Sequence, residues 1–184
     1  PTRFLSTLNR TVYDNVQRMQ ADKSLTLSLL DYQNGQVKLS GQHEELIVVR
    51  TNGEVELVDT DDLGFPIGLD DDIADFIDET TIDLQPGDGI VLYTDGITES
   101  RNSDGVMFEP ERLADTLNRT HSRTPADSLK AVVTRVDKWN GKNGYEDDCS
   151  LVLVELLGLR NDTGSIFDLN FEEEFDVDDA TMMM

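Results

Sequence analysis

Two acidic stretches carry the chemistry that this sequence advertises. The first is Tyr93-Thr94-Asp95-Gly96, which closes the apolar run Gly89-Ile-Val-Leu-Tyr. Its carboxylate stands where a buried strand should end, and an ionised acid in such a place is costly without a compensating cation. Gly96 removes a side chain and allows backbone or ligand to approach closely. The second stretch is Glu146-Asp147-Asp148-Cys149-Ser150, immediately before the apolar run Leu151–Leu157. If the two runs are antiparallel neighbours, Asp95 and Asp147 meet at one sheet end. Paired carboxylates with water suit a hard divalent cation such as Mg²⁺ or Mn²⁺. Two plainer readings stand beside this one. Asp-Gly is ordinary hairpin-turn chemistry, and an acidic triplet is ordinarily a solvated loop.

The elements that must position these residues can be read from pattern. Thr2 to about Asp22 is expected to be a helix, with Phe4, Leu5, Leu8, Val12, Val16 and Met19 on one stripe. Ser24–Tyr32 and Gln36–Ser40 alternate as strands around Asn34-Gly35, and Leu46–Arg50 and Glu54–Val58 do so around Asn52-Gly53. Phe76–Leu84 is expected to be a strand, and Gln85-Pro86-Gly87-Asp88 a turn. Gly89–Thr94 and Leu151–Leu157 are expected to be buried strands. Pro110–Asn118 reads as a short helix. Thr124-Pro125-Ala126-Asp127 is a helix start, with Thr as cap and Pro at the first position. Hairpins with segregated helices indicate an α+β fold on antiparallel sheet.

Composition sets the limits. The 184 residues carry a net charge of −23, with a single cysteine, Cys149. A chain of this length buries roughly 70% of its unfolded surface and needs no disulfide or zinc staple. One cysteine excludes a disulfide framework and suits a reducing compartment, so a cytoplasmic location is expected. No apolar run approaches the ~18 residues of a membrane span. The charge disfavours nucleic acid and anionic membrane as partners, and admits divalent cations and basic proteins. It is unevenly distributed. Residues 51–109 hold 17 acids and one base, and residues 161–184 hold eight acids and no base. The acids lack the alternating pattern of an EF-hand loop. The last segment, with Phe167, Phe171 and Phe175 among its acids, reads as a disordered tail or as a docking segment for a basic partner.

An ordered set of motifs adds a resemblance. Ser40-Gly41-Gln42-His43, Phe65-Pro66-Ile67-Gly68-Leu69, Leu84-Gln85-Pro86-Gly87-Asp88, Tyr93-Thr94-Asp95-Gly96-Ile97-Thr98-Glu99 and Asp147-Asp148-Cys149-Ser150 together resemble the SpoIIE/RsbU-type serine phosphatases. These form the bacterial branch of the metal-dependent PPM superfamily. The resemblance covers about residues 1–157. It implies an α-β-β-α sandwich of two mainly antiparallel sheets flanked by helices. It implies two Mn²⁺ or Mg²⁺ ions and in-line attack of metal-activated water on phosphoserine or phosphothreonine. By the family pattern, Asp95 and Asp147 match metal ligands. Gly96, Asp148 and Glu99 match supporting positions around them, Glu99 being equally suited to start a helix. His43 is a candidate for contacting phosphate or a structural histidine at a strand end. The implied substrates are phosphorylated STAS-type antagonists of anti-sigma factors in bacterial stress signalling, with a sensor or receiver domain upstream.

The sequence departs from the family at its front. The family's Gly-Asp-aromatic-aromatic-Asp strand and Asp-x-x-Gly-x-Gly turn, which supply a bridging Asp and a carbonyl ligand, have no counterpart, and the chain begins at Pro1. The expectation is therefore a phosphatase domain over 1–158 that lacks its N-terminal strands, followed by an acidic tail over 159–184. On its own, such a chain should bind metal weakly and turn over slowly. The competing expectation is a catalytically incomplete phosphatase-like module that binds a protein partner. Cys149 is expected to be an inert buried thiol, Trp139 a cover on the core, and Asp70-Asp71-Asp72 a solvated loop.

Overall fold

A computed structural model describes residues 1–157. The expectations for the acidic tail lie outside the described residues. The chain divides into two compact units, one of residues 1–45 and 59–84, the other of 46–58 and 85 onward.

The first unit holds α1 (Thr2–Met19), β1 (Leu29–Gln33), β2 (Gln36–Ser40) and β5 (Glu79–Asp83), with the strands in the order β1-β2-β5, all antiparallel. The β1–β2 turn is Asn34-Gly35, with φ of 52° and 83°, the left-handed conformations that this pair tolerates best. The expected strand over Ser24–Tyr32 is shorter than its alternation suggested. Its first half contributes only an isolated bridge from Leu25 to Ile67. The expected strand over Phe76–Leu84 likewise begins late, because residues 74–76 form a turn of 3₁₀ helix. The α1 stripe also differs from expectation, since Phe4 and Met19 are exposed. A polar residue, Asn9, is buried instead. Its side chain accepts from Gly68 N–H at 2.7 Å and donates to the Asp70 carbonyl at 2.9 Å, so both ends of the amide are satisfied.

The second unit holds β3 (Leu46–Val49), β4 (Val55–Val58), β6 (Gly89–Tyr93), α2 (Asp95–Thr98), α3 (Pro110–Thr120), α4 (Pro125–Asn140) and β7 (Leu151–Glu155). Its sheet runs β4-β3-β6-β7, again antiparallel throughout. Thr124 caps α4 as expected, accepting from Asp127 N–H at 3.2 Å. Ile47, Val49, Val91, Tyr93, Ile97, Phe108, Leu113, Leu117, Val132 and Val136 form the core of this unit. The fold class is the expected α+β, two antiparallel sheets with helices. β7 is a correction. It is an edge strand with alternating burial, and Val152 and Val154 are exposed, so it is not buried on both faces.

The Pro86-Gly87-Asp88 turn does more than reverse the chain. The Asp88 carboxylate is 3% exposed and accepts from Arg50 Nη1 at 3.0 Å, Thr51 N–H at 3.0 Å and Gln85 N–H at 2.9 Å. Glu56 holds the other side of the same guanidinium at 2.7 and 3.1 Å. Burial opposes the Asp88 charge most strongly. The two amides and Arg50 together outweigh it and hold the carboxyl below the usual aspartate range. A carboxyl depressed in the fold contributes stability that is complete above ~pH 4 and is lost as pH falls toward its folded value. Asp88→Asn is expected to cost about 3 kcal/mol at pH 7. It should also flatten the stability profile below pH ~4, as measured by urea unfolding at several pH values. An unchanged acid limb in the variant would refute this assignment.

Candidate functional site

β6 and β7 pair antiparallel with Tyr93 opposite Leu151, so the residues that follow one strand and precede the other lie side by side. Thr94 ties them together. Its N–H donates to the Ser150 carbonyl at 3.1 Å. Its hydroxyl accepts from Ser150 N–H at 2.8 Å and donates to the Asp148 carbonyl at 3.0 Å. Gly96 lies directly beneath that carbonyl. A Cβ at Gly96 would stand 2.5 Å from Asp148 O, nearer than any side chain allows. The glycine is thus required by close approach of two backbones.

The structure places Asp95, Gly96, Asp147 and Asp148 in these two adjoining loops, and the two runs pair antiparallel, which was the condition for Asp95 and Asp147 to be neighbours. Asp95 opens the short helix α2, and its carbonyl accepts from Glu99 N–H at 2.7 Å and from the Thr98 hydroxyl at 3.3 Å. Asp147 turns back on its own loop, accepting from Asp148 N–H at 2.7 Å. Asp95, Asp147 and Asp148 are exposed. The burial argument for a cation at Asp95 is therefore corrected: water already solvates this carboxylate. Glu99 is also exposed and ends α2, so it starts no helix. His43 belongs to the first unit, where its ring shares a 2.8 Å hydrogen bond with the Thr26 hydroxyl. Its backbone N–H donates to Thr60 Oγ1 at 3.1 Å, and that hydroxyl donates to the His43 carbonyl. Two surface depressions, one lined by Leu117, His121 and Arg123, the other by Asn9, Tyr13 and Asp71, include neither Asp95 nor Asp147.

The field at these loops is negative. Burial first, then Asp147, Asp148, Asp95 and Asp137, push the Cys149 thiol up to about 11. It is protonated at neutral pH and has no thiolate character, which suits the inert role expected of it. Tyr145 is also raised, by burial and by its 2.7 Å hydrogen bond to Asp137. None of the ion pairs among the described residues includes Asp95, Asp147 or Asp148. Two hard carboxylate groups are the right donors for Mg²⁺ or Mn²⁺. Among the described residues, no group of three or more His, Cys, Asp or Glu is placed to hold an ion. The donors thus fit in kind and form only part of a ligand set.

Sequence reasoning missed the function of Thr94, although the residue stands inside the Thr-Asp-Gly motif. Its partners are 54 and 56 residues away, and only the β6–β7 register reveals them.

A sequence model of the family described as Stage II sporulation protein E (SpoIIE) matches residues 1–157. The chain belongs to the SpoIIE family. Solved structures share its fold. The SiaA-PP2C domain of Pseudomonas aeruginosa superposes with a TM-score of 0.61 at 18% identity, covering 83% of this chain and 69% of that one. The S. agalactiae serine/threonine phosphatase gives 0.58 at 19%, covering 81% and 66%. The Mn-presoaked phosphatase domain of SpoIIE from Bacillus subtilis gives 0.57 at 16%, covering 88% and 76%. No curated protein matches significantly.

Gly96→Ala tests the close approach. Forcing a methyl group against the Asp148 carbonyl should part the loops at a cost of roughly 1–3 kcal/mol, read as a lower urea midpoint. Thr94→Val, which keeps the shape and loses the latch, should cost about 1–2 kcal/mol. Wild-type midpoints in both variants would mean that the loops are not held together as described.

Proposed function

We propose that this SpoIIE-family chain is the C-terminal portion of a metal-dependent protein phosphatase domain acting on phosphoserine or phosphothreonine. The expected substrate is a cytoplasmic signalling partner of the STAS type, and a sensor or receiver domain lies upstream in the full protein. The observation that carries this reading is the Thr94 latch, which sets the Asp95 and Asp147 loops against one another at one end of the β6–β7 pair. Asp95 and Asp147 are the chain's own ligands to Mn²⁺ or Mg²⁺, and the donors that complete the set come from outside the described residues. When bound, two such ions supply an activated water and absorb the charge that develops on the phosphoryl group. The chain's own part is to carry two carboxylates on adjoining loops at one end of the β6–β7 pair. Gly96 and Asp148 keep the loops in contact, and Glu99 closes the α2 turn through its amide. Cys149, as a protonated thiol, takes no part.

A second reading has its own support. With two carboxylates and no third ligating side chain grouped among the described residues, the chain alone suits a phosphatase-like module that binds a partner without turning it over. Calorimetric titration with Mn²⁺ separates the two, run on residues 1–184 and on a chain extended upstream. Tight binding of two ions in the longer chain only, with phosphoserine-peptide hydrolysis that Asp95→Asn or Asp147→Asn lowers at least roughly 100-fold, supports the phosphatase. Cys149→Ala should retain that activity. Absence of Mn²⁺ binding and hydrolysis in the longer chain would favour the binding module.

A further inference from the structure

The Asp95 turn is gripped from a second side, by the C-terminal end of α4. Ser100 is 4% exposed, and its hydroxyl donates to the Gly96 carbonyl at 2.7 Å. Asn140, the last residue of α4, is 3% exposed and directs its amide N–H at the Ser100 oxygen, 3.4 Å away. One buried chain of hydrogen bonds therefore runs from α4 through Ser100 to the Gly96 carbonyl, in the peptide that joins Gly96 to Ile97. The other end of the Asn140 amide, Oδ1, is buried with no hydrogen-bond partner. A buried acceptor left without a donor is expensive, and an apolar side chain in its place would avoid that cost. The amide is tolerated there for what its N–H holds.

Neighbouring contacts act on the same segment. Trp139 Nε1 donates to the Val106 carbonyl at 3.0 Å, and its ring meets Phe108 edge-on at 6.0 Å, with Arg112 stacked 4.4 Å from its centre. Asn143 donates to the Asn102 carbonyl at 3.0 Å. Phe108 N–H returns to the Ser100 carbonyl at 2.8 Å, and Glu109 N–H to the Thr98 carbonyl at 2.7 Å. The segment after Asp95 is thus held along its backbone by the C-terminal end of α4 and the N-terminal end of α3. Thr94 anchors the residue before Asp95 to the β7 loop, and Ser100 anchors the residue after it to α4.

We propose that Ser100 and Asn140 are positioning residues: they fix the Gly96 peptide plane and, through it, the direction in which Asp95 presents its carboxylate. The inference rests on the reading of Asp95 as a metal ligand. Holding a ligand's direction requires little of global stability and much of local order. The two residues act in series, so removing either breaks the same chain.

The test uses Ser100→Ala, Asn140→Leu, their double variant and the conservative Ser100→Thr, all in residues 1–184. Amide exchange is followed at Glu99, whose N–H closes the Asp95 turn, and at Val91 within β6 as an internal reference. Mn²⁺ alone is the probe, with affinity read from paramagnetic broadening. Ser100→Ala should raise exchange at Glu99 by at least roughly tenfold with Val91 unchanged. It should weaken Mn²⁺ binding by a factor of about three or more. Asn140→Leu should do the same, the double variant no more than either, and Ser100→Thr should restore the wild-type behaviour. If Asn140→Leu does not fold, Ser100→Ala against Ser100→Thr decides alone. Exchange at Glu99 that is unchanged, or that rises in step with Val91, overturns the proposal by reducing both residues to ordinary packing. If Glu99 responds while the wild-type chain binds no Mn²⁺, the positioning inference stands and the reading of Asp95 as a ligand fails.

Discussion

A single buried carboxylate organises the four-stranded sheet. Asp88 is taken out of water, which is costly, and it is retained because three strong donors converge on it. Those donors come from the end of β3 and from the turn that precedes β6. The backbone of the same turn also binds the chain just past β7, with Gly87 N–H donating to the Leu156 carbonyl and Leu156 N–H to the Asp88 carbonyl. One end of the sheet is thereby fixed in register. A slip of one residue would turn every side chain to the opposite face, so this fastening also decides which residues reach the other end. The loops that carry Asp95 and Asp147 adjoin at that other end, in the same β6–β7 register.

At the far end the design is different. The carboxylates themselves are exposed, while the groups that aim them are buried or bound to backbone. Thr94, Gly96 and Ser100 contribute no charge; they set distances between peptide groups. This division suits a ligand site. Exposed acids cost little to keep ionised, and a rigid backbone holds them together against their repulsion. Burial first, and then the acids of the two loops together with Asp137, raise the Cys149 thiol.

Much of this was legible in the sequence for a physical reason. Local signals fix local structure: Asn34-Gly35 demanded a tight hairpin, Thr124-Pro125 demanded a helix start, and the Gly89–Tyr93 run demanded a buried strand. The two motifs made Asp95 and Asp147 neighbours on the condition that their strands pair antiparallel, as β6 and β7 do. Long-range partners were not legible. Arg50 lies 38 residues from Asp88, and Asn140 lies 40 from Ser100. No spacing rule connects them, so Asp88 read as a mere turn and Asn140 as nothing at all. Burial was misjudged in both directions. Val152 and Val154 are apolar yet exposed, because β7 is an edge strand. Asn9 is polar yet buried, because its amide finds a donor and an acceptor in the Gly68–Asp70 turn.

The charge of the chain acquires a different meaning from these placements. Of the 17 acids between residues 51 and 109, Asp88 and Glu56 share Arg50 and serve stability. Asp70 and Asp72 cap their own loop by accepting backbone N–H groups, at 3.3 and 3.0 Å. Asp95 alone joins the β7 loop. Net charge therefore says little about the site, because a field of several exposed acids is largely screened beyond about 8 Å at physiological ionic strength. What distinguishes Asp95 is its mechanical setting. It stands between two anchored peptides, opposite a second carboxylate loop, and no other acid of that segment shares this arrangement among the described residues. Selectivity for a small, hard cation comes from the number and placement of its oxygen donors rather than from charge in bulk. The bonds at Thr94 and Ser100 are therefore as much a part of the candidate metal site as the carboxylates they hold.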